Sequence, residues 1–201
     1  QHDAVTCDAD WVSEDDKELL IAWRYDPAGL ATDPHAYLLS HPMSLNNSII
    51  CRDAWQKVGG CDETLPLWED ADVHIRLARD GSRFHHVPEV LTHAFRRGET
   101  SSHDYRRSWN CRLTALSGYA MHAGAERVRE VLASQTEIAA ARLAALGDSD
   151  GTRKGIALCR QLGGNPPASR HPVIRMLKPF VPAEILLRWQ ARHRNRLGAG
   201  R

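Results

Sequence analysis

The apolar pattern changes its period once, near Ser102, and that change constrains the fold more than any other feature. Before it, extended runs alternate with short helical ones. Ala4-Val5-Thr6-Cys7 is β-prone and ends in Asp8-Ala9-Asp10, and Leu19 to Trp23 has the same character. Pro27, Gly29, Asp33 and Pro34 read as a loop. Ser48-Ile49-Ile50-Cys51 reads as a buried strand, and Asp53 to Val58 as a short helix closed by Gly59-Gly60. Cys61 to Pro66 is turn-rich, and a helix is expected over roughly 69–80, ended by Gly81. Phe84 to Val87 is strand-like, Pro88 breaks it, and Val90-Leu91-Thr92 resumes. Strands alternating with short helices indicate an α/β layer.

Beyond Ser102 only helical periods remain. Tyr105, Trp109, Leu113, Leu116 and Ala120 share one face, and residues 125–146 form an Ala-rich second helix. Residues 147–151 read as a loop, Gly163-Gly164-Asn165-Pro166-Pro167 as a linker, and residues 183–197 as a last helix. The expected division is therefore an α/β part over 1–103, a helical extension over 104–147, and a basic linker with an amphipathic tail helix over 148–201.

Charge follows the same division. Residues 1–151 hold 15 Lys and Arg against 24 Asp and Glu, whereas residues 152–201 hold 11 against the single acid Glu184. An acidic body with a basic tail points to an anionic partner surface. In the tail, Ile185, Leu186 and Trp189 can share a face flanked by Arg188, Arg192, Arg194 and Arg196. That helix suits either a membrane interface or packing on the body. No apolar run is long enough to span a bilayer. The five cysteines are widely spaced with no C-x-x-C, which argues for reduced thiols over a structural zinc. No basic segment followed by an apolar one opens the chain, and Gln1-His2-Asp3 leads straight into a strand-like run, as if the chain began inside a larger protein.

The densest polar cluster is Trp68-Glu69-Asp70-Ala71-Asp72 at a helix start. Acids there are favoured by the macrodipole, so capping is the plain reading. Its neighbours add more. The ordered string Ser48-Ile49-Ile50-Cys51-Arg52-Asp53, Val58-Gly59-Gly60-Cys61-Asp62-Glu63, Trp68-Glu69-Asp70, Arg76-Leu77 and Val87-Pro88-Glu89 resembles the C-terminal half of family 2 glycosyltransferases of GT-A fold. The resemblance covers about residues 4–103, with Cys61 where the family usually carries Phe.

The resemblance implies a partial GT-A, Rossmann-like sheet with flanking helices, followed by a helical C-terminal region. It implies an enzyme, incomplete as given, that transfers a sugar with inversion from a nucleotide-sugar donor to a hydroxyl of a glycan or lipid-linked acceptor, as in envelope polysaccharide synthesis. Asp70 is the implied catalytic base, with Glu69 beside it. Trp68, Asp72, Arg76, Arg96 and Arg97 are implied substrate-binding residues. Asp72 is also readable as a solvated helix residue, and Arg76 as the partner of an acid in the same turn.

The family uses Mn²⁺ or Mg²⁺ against the nucleotide diphosphate. Asp8-Ala9-Asp10 has the letters of the metal motif, but its surroundings look like the family's second Asp-rich strand, downstream of that motif. Asp8, Asp10 and His93 are the metal candidates. His85 and His86 point to opposite faces of a strand and are poor partners for one ion. Asn46-Asn47-Ser48 reads as a turn or as a pocket wall. The expected location is cytoplasmic, with the tail on the inner membrane face, and no nucleic-acid-binding module is recognisable. The rival expectation is a non-catalytic remnant or interaction module that keeps the acceptor-side half of the fold.

Overall fold

The computed structural model describes residues 2–15, 17–96, 104–169 and 172–198, with side chains for all but 96 and 192–198. The chain forms two compact units, Gln1–His103 and Asp104–Arg201.

In the first unit, β1 (Ala4–Ser13) is the centre of a mixed sheet. β4 (Phe84–Arg96) runs parallel along one edge, from Ala4 opposite Phe84 to Ser13 opposite Arg96. The other edge is shared by two antiparallel strands. β3 (Ser48–Ile50) pairs with the start of β1, and β2 (Leu19–Trp23) with its end. Neighbours on both edges bury Thr6, Cys7, Asp8 and Ala9.

A parallel pair needs a long crossover. Here it carries α1 (Pro27–Thr32), α2 (Pro34–Ser40), α3 (Arg52–Lys57) and α4 (Glu69–Arg79). The first two correct the loop expected at Pro27–Pro34. The Asp26 carboxylate accepts from the Ala28 and Gly29 N–H groups, and that of Asp33 from Ala36 N–H. Each acid is followed by a proline inside the first turn, where its missing N–H costs nothing. An Asp-Pro pair is thus a helix start as readily as a turn.

Two further expectations change. Ile49 is 78% exposed, so β3 is an edge strand and not a buried one. Pro88 does not end its strand. β4 continues, and the register jumps from Cys7–Val87 to Asp8–Val90. Proline cannot donate to the ladder, so the chain bulges past it. The core lies where α2 packs on α4: Leu38, Leu39, Val73, Ile75 and Leu77 are all fully buried. Each such side chain is worth about 1.5–3 kcal/mol of burial.

The second unit is helical: α5 (Tyr105–Ala120), α6 (Glu126–Ala145), α7 (Ser149–Gln161), α8 (Pro172–Leu177) and α9 (Ala183–Gly198). α5, α7 and α9 all pack on α6. The expected division at residue 147 is therefore absent, and 104–201 is one unit. Residues 148–151 are not a loop. Asp148 caps α7 by accepting from Gly151 N–H at 2.8 Å. The face expected for α9 also changes. Leu186 and Leu187 are buried at 3% and 1%, whereas Ile185 is 55% exposed. Leu187 and Ala183 join Ala140, Ala144 and Ile156 in one cluster, so the helix packs within its own unit. Among the described residues, no helix is long and apolar enough to cross a membrane.

Candidate functional site

α4 begins in an unusual way. Trp68, its N-cap, has φ +79°, in the left-handed region, and contributes no capping side chain. Non-glycine residues hold that conformation only where the surroundings enforce it, and such residues cluster at functional sites. The strained residue directly precedes Glu69 and Asp70, which occupy the first turn.

Asp70 is half-buried. Its carboxylate accepts the Ala71 N–H at 2.7 Å and a hydrogen bond from the Ser44 hydroxyl. Burial pushes its pKa up, and the neighbouring Glu69 charge pushes the same way, against the pull of those hydrogen bonds. A carboxyl held by donors yet raised in pKa suits proton transfer.

His74 fixes the turn from behind. It is fully buried, and its Nδ1–H donates to the Asp70 carbonyl at 2.6 Å. That leaves Nε2 to accept from the Ser48 hydroxyl of β3 at 3.0 Å. Burial pushes the imidazole pKa down, which keeps it neutral in this role.

Arg76 and Asp72 serve the scaffold. Arg76 Nε donates to Asp72 Oδ2 at 2.7 Å, Nη1 to the Val58 carbonyl at 2.5 Å, and Nη2 to the Gly60 carbonyl at 2.6 Å. The guanidinium thereby clamps the Gly59-Gly60 turn, whose two glycines both have positive φ, onto α4. Asp72 is 3% exposed, which corrects its reading as a solvated residue. Arg76 does pair with an acid of its own turn.

Tyr25 links this turn to the sheet. Its phenol lies within electrostatic reach of both Asp70 and Asp8 and hydrogen-bonds to Asn47. Its hydroxyl donates to the Pro42 carbonyl at 3.2 Å, and burial pushes its pKa up. Asn47 is 3% exposed and donates to the Cys7 carbonyl at 2.7 Å, while its side-chain oxygen is buried with no partner among the described residues. It is a wall residue and not only a turn former.

Asp8 and Asp10 are already engaged. His86 Nε2–H donates to Asp8 Oδ1 at 3.0 Å, and Tyr25 N–H donates to the same oxygen at 3.2 Å. The Thr6 hydroxyl completes the line by donating to His86 Nδ1 at 2.9 Å. Arg24 Nη2 donates to Asp10 Oδ1 at 2.7 Å, with its Nε 3.8 Å from Asp8. His93 sits opposite Asp10 in the β1–β4 register and is exposed. As placed, this set does not fit a metal site. Among the described residues, no three His, Cys, Asp or Glu side chains come together to hold an ion. The backbone of Arg96 ends β4, and its side chain and the whole of Arg97 lie outside the described residues.

The structure thus joins Asp70, Glu69 and Trp68 with Ser44, Tyr25 and Asn47. Ser44 and Tyr25 had no motif to mark them. Their signal lay only in a polar residue beside a proline-containing turn and in a tyrosine at the end of a strand. His86 differs: its alternation with His85 put the two on opposite faces, and the structure shows His86 to be the buried one.

The chain matches no protein-family model, no curated protein and no solved structure.

Proposed function

We propose that the first unit is the acceptor-side half of an inverting glycosyltransferase, with Asp70 as general base. The observation that carries the proposal is the half-buried Asp70 carboxyl. It is held by Ala71 N–H and Ser44, raised in pKa, and placed two residues after a left-handed Trp68. The resemblance of residues 4–103 to family 2 glycosyltransferases supports the same reading, as does an α/β unit whose sheet carries helices in its crossover.

In this reaction the acceptor hydroxyl gives its proton to an Asp70 oxygen as the acceptor oxygen bonds to the anomeric carbon from the side opposite the leaving group. The bond from that carbon to the nucleotide diphosphate breaks, and the diphosphate leaves with the electron pair. Alignment of the two substrates supplies much of the rate. Glu69 orients the acceptor and raises the proton affinity of its neighbour. Arg96 and Arg97 are assigned to the diphosphate, since guanidinium groups bind such anions bidentately.

A second reading has its own observation. Asp8 and Asp10 are bound by His86, Arg24 and the Tyr25 N–H. A non-catalytic module that retains the acceptor side of the fold would use them in this way.

Calorimetric titration with UDP, GDP and dTDP, with and without Mn²⁺, tests whether the donor site lies in this chain. Binding of one nucleotide supports the transferase and overturns the second reading. Absence of binding leaves the acceptor-side half as part of a longer enzyme, and the Asp70 substitution in an active form then decides between the readings. In an active form, Asp70→Asn is expected to abolish transfer while donor affinity stays within about twofold, since a base acts on the acceptor. Near-native turnover in that variant removes Asp70 from the role.

A further inference from the structure

The second unit exposes large apolar side chains along one short stretch. Val173 and Met176 are 40% and 66% exposed on α8, Phe180 is 83% exposed in the turn that follows, and Ile185 and Trp189 are 55% and 36% exposed on α9. Val173 and Met176 are three residues apart, and Ile185 and Trp189 four, so each pair lies on one face of its helix. These are not the residues that make the core. Ile174 at 2%, Leu186 at 3% and Leu187 at 1% hold the same two helices to the body. The stretch therefore has two apolar sets, one buried and one facing out.

Its charge is one-sided. Residues 152–201 carry eleven Lys and Arg against Glu184 alone. That acid is answered locally by Arg188 at 2.8 Å. Arg175 is exposed between Val173 and Met176. Exposed apolar groups beside cations, with the segment's one acid already paired, are the requirements for an anionic lipid interface.

We infer that α8, the turn at Phe180 and the outer face of α9 form a membrane-docking surface for anionic lipid headgroups. Met176 and Phe180 enter the headgroup–acyl boundary, Trp189 sits at its edge, and Arg175 meets lipid phosphate. Burying one Phe and one Met supplies most of the partition energy, and the cations add attraction to the charged surface. The inference stands on the Asp104–Arg201 unit and is independent of the transferase reading.

The test is co-sedimentation of the 201-residue chain with phosphatidylcholine vesicles, with and without phosphatidylglycerol. The expected result is binding to the anionic vesicles, weakened by salt. Met176→Glu with Phe180→Glu should lower partitioning by on the order of tenfold or more, with an unchanged helical circular dichroism spectrum. If that variant loses its helical spectrum, Val173→Ser with Ile185→Ser, both at exposed positions, should show a loss in the same direction. Failure of the parent chain to bind anionic vesicles overturns the inference, as does native-level binding by the folded variants. A concentration-dependent dimer in vesicle-free buffer that the same substitutions abolish also overturns it, by assigning the surface to a second copy.

Discussion

Arg76 and Asp72 form a largely buried, multiply bonded pair in the first unit. Asp72 is nearly inaccessible, and the Arg76 side chain is largely buried with it. Replacing Arg76 by Met would keep the packing volume but leave a buried carboxylate without its counter-charge and two loop carbonyls without their donor. Such a loss costs about 3–5 kcal/mol. Urea unfolding of Arg76→Met should show that decrease, and a change below about 1 kcal/mol would mean that the clamp is not structural. Lys at this position should recover only part of it, because a single ammonium does not reproduce the planar fork.

Asp70 titrates the other way from a salt-bridged acid. Its folded pKa lies above the ordinary 3.8 of an aspartate, because burial and Glu69 oppose ionisation. Between 3.8 and that folded value the native state keeps a proton that the unfolded chain has lost, so stability falls as pH rises through the window. Above it the full cost remains. Asp70→Asn removes the cost. Its Tm should exceed that of the parent at pH 7, and the difference should shrink as pH falls toward 3.8. An equal or lower Tm at neutral pH would show that the carboxylate is comfortably solvated. A residue that destabilises its own fold in the charged form is what a functional carboxyl looks like energetically.

At the scale of elements, the contact of α6 with α7 depends on small residues. A Cβ on Gly155 would lie 2.8 Å from the Ala140 Cβ and 3.2 Å from the Thr136 carbonyl. Ala140 is on a fully buried part of α6, so the obstruction cannot move aside cheaply. Gly155→Val should cost about 1–3 kcal/mol through overpacking, read as a lower Tm of the helical unit. An unchanged Tm would mean that the two helices can separate without loss. The same α6 also receives α9, which explains why the last helix keeps its Leu186–Leu187 face inward despite the excess of arginine around it. Helix α4 shows the complementary case. It buries Ala71 through Ile75 in sequence, so it is enclosed on nearly all sides and not laid on a surface.

At the scale of the molecule, much of the layout was readable from period alone. Alternating strand and helix signals before Ser102, and helical ones after it, lie at the division between the two units. The helix at 69–79, its Gly81 stop and the strand pairing potential of Ala4–Cys7 followed from local chemistry, because caps, glycine stops and β-branched runs act within a few residues. Strand alternation also put His85 and His86 on opposite faces, but which of them is buried was settled by the sheet's packing. What local chemistry missed was set by distant partners. Asp26 and Asp33 could cap helices or make turns, and the choice fell to helices where Leu30, Leu38 and Leu39 found a core to enter. Which leucines of α9 face inward was likewise decided by α6. The sequence by itself determined that strands give way to helices near Ser102 and which residues could carry charge. Only the tertiary structure decided that Asp8 binds His86, that Arg76 clamps the Gly60 turn, and that Tyr25, bonded to Asn47, lies within electrostatic reach of Asp70. Those contacts join residues far apart in the chain, and the burial that alters a carboxyl's pKa exists only once they meet.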